Sequence, residues 1–194
     1  MNPEPRAVGF RAHSGWAMAV VVAASPTGFV VVDRRRIETA DPAISGSKQP
    51  FHAAEPLPFP QAEALIVRCR ESSRALAQAA VAGLVRTHSI RTAALLCSSA
   101  NPLPGLAATL KSHALIHTAE GEMFRDVLAQ AVEHCGLPLT RVKEKEAWDL
   151  ASPALREQIV NMKKQLGPPW TQDEKLAALA AWMAIPAGGL GYAG

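Results

Sequence analysis

His113, His117 and Glu120, spaced H-x-x-x-H-x-x-E, are the residues of this chain best suited to chemistry. At 100° per residue on a helix they project within about 60° of one another. Ile116, Phe124, Val127 and Ala131 share that sector, so the spacing places two imidazoles and a carboxylate toward the interior. As catalytic groups they can run acid–base chemistry, or they can bind a transition metal. Equally, Glu120 can satisfy one histidine within a buried polar network. The order is not H-E-x-x-H, which argues against a zinc protease.

Other candidates are scattered. Arg11 and His13 end the first strand-like segment and suit an anion, or form a solvated pair. His52 and Glu55 lie in a proline-rich loop that can fold over a sheet edge and contribute to a binding site, or stay a plain surface loop. Asp173 and Glu174 open the last helix, where the helix dipole favours negative charge; Asp173 is a candidate metal ligand beside Glu120. Arg34, Arg35 and Arg36 alternate faces on a strand and read as a solvated edge. Trp148, Trp170 and Trp182 read as core or interface aromatics. The sequence contains no P-loop, dinucleotide glycine motif or G-x-S-x-G elbow.

Composition sets the frame for these residues. The 194 residues, 48% apolar and 19% charged, suit one domain with a sizeable core. A net charge of +3 is too small to indicate nucleic acid by itself. The three cysteines match neither a disulfide framework nor a metal knuckle, and read as small core residues of a cytoplasmic protein. The apolar run Ala17 to Ala24 is too short to span a membrane. Glu4 before it and a second strand-like run after it argue against a signal peptide.

The elements follow from period and punctuation. Ala7–Arg11, Gly15–Ala24 and Phe29–Glu38 read as an antiparallel meander, with a Ser25-Pro26-Thr27-Gly28 turn. Five prolines between residues 40 and 60 predict a long loop without helix or central strand. Gln61–Arg86 has helical period, with Ala62, Leu65, Ile66, Cys69, Leu76, Ala80 and Leu84 on one face. Thr92–Cys97 reads as a buried strand. A helix runs from about Leu106 to Cys135, interrupted near Gly121 and stopped by Gly136. Leu139–Val142 is a last strand. Ser152-Pro153 opens one helix, and the box Thr171…Glu174 opens the final one. The order predicts an α/β domain over residues 7–186, between a loose N-terminus (1–6) and a glycine-rich tail (187–194).

This order resembles that of the ribonuclease H-like superfamily, and details resemble its RuvC-type Holliday-junction resolvase branch. They are Val8-Gly9-Phe10-Arg11 through Gly15-Trp16-Ala17, Leu137-Pro138 before the last strand, and the alanine-rich helix from Gln172 with acidic residues in its first turn. The resemblance implies a mixed sheet, a three-strand antiparallel meander plus two parallel strands, with helices on both faces. It also implies three places for metal-binding carboxylates. Those places read Arg11 on the first strand, Cys97, Ser98 and Ser99 after the fourth, and Gln172 and Lys175 on the last helix, with Asp173 and Glu174 between. A guanidinium in place of a carboxylate reverses the charge that would hold Mg²⁺ or Mn²⁺. The expectation is a RuvC-like protein without the ordinary nuclease site, binding nucleic acid or protein. The alternatives are a divergent nuclease or phosphodiesterase using Mg²⁺ or Mn²⁺ at a rebuilt site, and a structural homodimer.

Overall fold

The computed structural model describes residues 4–26, 28–98 and 101–186. The glycine-rich tail, Thr27 of the expected turn and Ser99 lie outside them. Five strands, β1 (Arg6–His13), β2 (Trp16–Ser25), β3 (Gly28–Glu38), β4 (Thr92–Cys97) and β5 (Leu139–Lys143), form one sheet in the order β3-β2-β1-β4-β5. The first three pair antiparallel, whereas β4 runs parallel to β1 and β5 parallel to β4. This is the mixed sheet expected from the order of elements. The carboxyl ends of β1, β3, β4 and β5 therefore lie along one edge, where α/β sheets place their ligands.

Both faces are covered. Side chains alternate along each strand, so Ala7, Val20, Val22, Ala94 and Leu96 meet helix α8 (Gln172–Met183). Val8, Phe10, Ala19, Val21, Ala93 and Leu95 meet α2 (Phe59–His88) and α4 (His113–His134) on the opposite face. Gly9 explains how closely α8 lies on β1. A Cβ there would come within 1.9 Å of the Ala177 carbonyl oxygen, so only glycine admits the helix. Ala177, Ala178, Ala180 and Ala181 on the helix side are fully buried, and their small side chains complete the approach. The capping box that starts α8 is formed: the Thr171 backbone N–H donates to Glu174 at 2.5 Å, and the Glu174 N–H donates to the Thr171 hydroxyl at 3.4 Å.

Several local expectations need correction. The proline-rich stretch contains α1 (Pro50–Ala54), and α2 begins inside it at Phe59. Proline sits in the first turn of both helices, where no intrahelical partner for its missing N–H is needed. The buried stripe of α2 passes through Ser73, Ala77 and Val81, leaving Leu76 and Ala80 only half-buried. The third helical stretch is divided at residues 110–112, not at Gly121, giving α3 (Leu106–Thr109) before α4. After β5 and α5 (Glu144–Leu150), the helix expected at Ser152-Pro153 is present as α6 (Pro153–Asn161), with the Ser152 hydroxyl accepting the Leu155 N–H, but it stops short and α7 (Lys163–Leu166) follows as a separate turn. Arg34 is not a solvated edge residue. Its guanidinium donates to the carbonyls of Leu166 (2.8 Å), Gly167 (3.2 Å) and Pro169, fastening the α7–α8 connection to β3. Cys69 is buried, Cys97 and Cys135 are half-buried, and all three are free thiols. No described helix is long and apolar enough to cross a membrane.

Candidate functional site

Arg11 is the centre of the first cluster, at the carboxyl end of β1 on the α8 face. One terminal nitrogen donates to Glu144 in the first turn of α5 at 2.6 Å, and the other donates to Asp173 in the first turn of α8. The alternation of β1 aims Arg11, like Gly9, at α8, and the close seating of α8 on Gly9 brings Asp173 within reach. His13 lies two residues on. Its Nε2 is 3.3 Å from the Asp173 oxygen that Arg11 holds, without hydrogen-bond alignment. The ring stacks on Trp16 at 4.1 Å, and Arg36 covers the Trp16 ring at 4.2 Å. Burial first, and then the Arg11 charge, push the His13 pKa down, which favours the neutral imidazole.

The sign of this cluster decides its chemistry. Asp173 and Glu144 are two carboxylates that could share a cation, and the guanidinium already lies between them. The bonds are short and partly shielded from water, with Arg11 and Asp173 each 21% exposed. At the end of the neighbouring strand β4, the Ser98 hydroxyl donates to Glu122 of α4, which also pairs with Arg125 at 2.8 Å. Near this edge Arg36 pairs with Glu38 at 2.5 Å and Lys143 with Glu146 at 3.0 Å.

The second cluster sits on the opposite face, above the apolar group formed by Phe51, Ala54, Ala62, Ile66, Ile116 and Phe124. His113 and His117 occupy the first two turns of α4, and His52 arrives from α1. One ring nitrogen from each lies within 4.8 Å of the other two. The Nε2 atoms of His113 and His117 are 3.0 Å apart, and the His52 ring centre is 5.5 and 4.7 Å from theirs. His113 and His117 are exposed, contrary to the interior placement expected from the helical wheel, whereas Ile116 between them is fully buried.

Glu120 is the buried member, 2% exposed. Its carboxylate accepts the Phe51 backbone N–H at 3.1 Å and also the His52 N–H. Those are early amides of α1, which has no side-chain cap of its own. Glu120 thus caps α1 from another helix. Its Oε2 lies 3.4 Å from His52 Nδ1. Burial raises the Glu120 pKa to about 7, against the lowering effect of the two amides. Burial, then the neighbouring His117 and His113, lower that of His52.

The structure therefore divides the candidate residues. His113, His117 and Glu120 meet His52, which sequence spacing could not link to them. Glu55 follows α1 at its C-terminal end, is exposed, and its carboxylate is not one of the clustered ligand atoms. Arg11, His13 and Asp173 meet on the other face of the sheet, so Glu120 and Asp173 do not share a metal position. Glu144 was missed; its only signal was an acidic residue immediately after the last strand, opening a helix. Glu122, beside Ser98, gave no sequence signal.

No protein-family model and no curated protein matches the chain. Solved structures do. Thermus thermophilus RuvC in complex with a Holliday junction substrate superposes with a TM-score of 0.55 at 11% identity, covering 92% of this chain and 90% of that one. Another Thermus thermophilus RuvC structure gives 0.54 at 10% identity, covering 91% of each chain. The fold is ribonuclease H-like, of the RuvC kind, over nearly the whole chain. At this identity the likeness extends to the fold alone.

Proposed function

We propose that this chain is a RuvC-like module that binds branched nucleic acid without cutting it. One observation carries the reading: the Arg11 guanidinium bridges Asp173 and Glu144 at the carboxyl end of β1. Two-metal cleavage of a phosphodiester needs anionic oxygens free to hold divalent ions. Here a guanidinium, a group that cannot lose its proton, already occupies the space between the two carboxylates. The structural likeness to a protein solved with a Holliday junction supplies the class of partner.

The pairing of basic side chains at this edge shapes the expectation. Arg36, Lys143 and Arg125 each have a carboxylate partner, so the edge is not a bare basic patch. Binding should depend on junction shape more than on bulk charge, with a shallow salt dependence. Fluorescence anisotropy in EDTA, with a labelled four-way junction and a duplex of equal length, tests this. Tighter binding of the junction supports the reading. Equal, salt-steep binding of both DNAs, or binding of neither, would remove nucleic acid as the specific partner and leave a protein partner to be sought.

A further inference from the structure

We propose that His52, His113 and His117 form a site for one transition-metal ion of the zinc class, with Glu120 as the positioning residue behind His52. The site is independent of the nucleic-acid reading, since it lies on the opposite face of the sheet from Arg11. Three features of the geometry support it.

His113 and His117 are i and i+4 on α4, so their rings stand over the same face and can chelate one ion. With metal–nitrogen bonds near 2.0–2.1 Å and a tetrahedral angle, two ligand nitrogens sit about 3.3 Å apart. The observed 3.0 Å between the two Nε2 atoms needs only a small adjustment, and the third ring nitrogen is already within 4.8 Å.

The third ligand is held by construction. α1 has only five residues and would not keep its place alone. Phe51 and Ala54 anchor it in the apolar cluster, and Glu120 grips its first amides. Glu120 is a buried carboxylate whose Oε1 has no hydrogen-bond partner among the described residues, and His52 Nδ1 lacks one too. A proton on Nδ1 directed at this carboxylate fixes the tautomer and leaves Nε2 for the ion. Carboxylates behind metal-bound histidines act in this way.

The donor set points to the class of ion. Three imidazoles without a carboxylate or thiolate suit zinc, copper, nickel or cobalt and disfavour magnesium or calcium. The exposure of His113 and His117 leaves the fourth position to water or a ligand, as at an open zinc site. Their exposure also means that the core does not need them.

The test uses the full chain, free of any affinity tag, stripped with a chelator and titrated with Co²⁺. We expect a visible d–d absorption saturating at one equivalent and abolished by Zn²⁺. His113→Asn and His117→Asn should each weaken binding at least ~100-fold, and Glu120→Gln about 10–100-fold. His134→Asn, at the far end of α4, should bind as wild type does. His52→Asn should behave like the other two, and circular dichroism shows which variants are folded. If His52→Asn does not fold, the exposed His113 and His117 decide. An absent Co²⁺ band, or wild-type affinity no higher than that of the His113→Asn/His117→Asn double variant, would overturn the site.

Discussion

Replacing Arg11 with methionine keeps an unbranched apolar stem and removes the charge and the hydrogen-bond donors at its end. In the wild type the guanidinium makes one bond of 2.6 Å to Glu144 and another to Asp173. Hydrogen bonds to charged groups contribute roughly 1.5–3 kcal/mol each when shielded. Arg11 and Asp173 are about one-fifth exposed and Glu144 about one-third, so solvent screening reduces both terms. Removing Arg11 also leaves two like charges facing each other. The expected loss is about 2–3 kcal/mol. With a urea m-value on the order of 2–3 kcal/mol/M for a chain of this size, the unfolding midpoint should fall by about 1 M. Arg11→Asp should lose more, because three carboxylates then converge. Millimolar Mg²⁺ should recover part of that loss by occupying the space of the guanidinium, while leaving the wild type unchanged. Urea denaturation with and without Mg²⁺ reads both effects. A loss below ~0.5 kcal/mol for Arg11→Met, or equal stabilisation of wild type and Arg11→Asp by Mg²⁺, would refute the view that Arg11 stands in a cation's place.

Gly9→Ala should lower stability by about 3 kcal/mol, because its Cβ would meet the Ala177 carbonyl and push α8 off β1; a thermal midpoint lower by about 6–12 °C checks it. The His13 imidazole should titrate below an ordinary histidine when followed by NMR. Its neighbours are Arg11, Glu144, Arg36, Arg125 and Asp173, and Arg11→Met should raise its midpoint. Because the folded pKa lies below the unfolded one, His13 contributes stability that is complete above pH ~6.5 and is lost as pH falls through the lowered value. In chelator-treated protein, Glu120→Ala should release the amides of Phe51 and His52 to rapid hydrogen exchange, while those of β1 stay protected. Arg34→Ala should cost about 1–3 kcal/mol by leaving the carbonyls of Leu166, Gly167 and Pro169 without their donor, measured by the same urea unfolding.

The sheet was legible because its signals are local. The meander, the buried strand Thr92–Cys97 and the Thr171…Glu174 box all rest on residues close in sequence. The short helix at Pro50 was not, since its stability comes from Phe51 in a distant apolar cluster and from Glu120, 69 positions away. The same distance hid the join between His52 and the His113/His117 pair. Arg34 looked solvated because its partners, three backbone carbonyls and the Glu174 carboxylate, all lie more than 130 residues on. Arg11 and Asp173 were each visible as candidates. Their bond was not, because it depends on how closely Gly9 lets α8 lie.

The most direct test of the central claim is a cleavage assay with a labelled four-way junction and Mg²⁺ or Mn²⁺, run beside an Asp173→Asn/Glu144→Gln variant. The account predicts a junction left intact by both proteins under conditions where the wild type holds it bound. Metal-dependent cleavage by the wild type that disappears in the variant would contradict the account, because Asp173 and Glu144 would then be serving a metal ion and not Arg11.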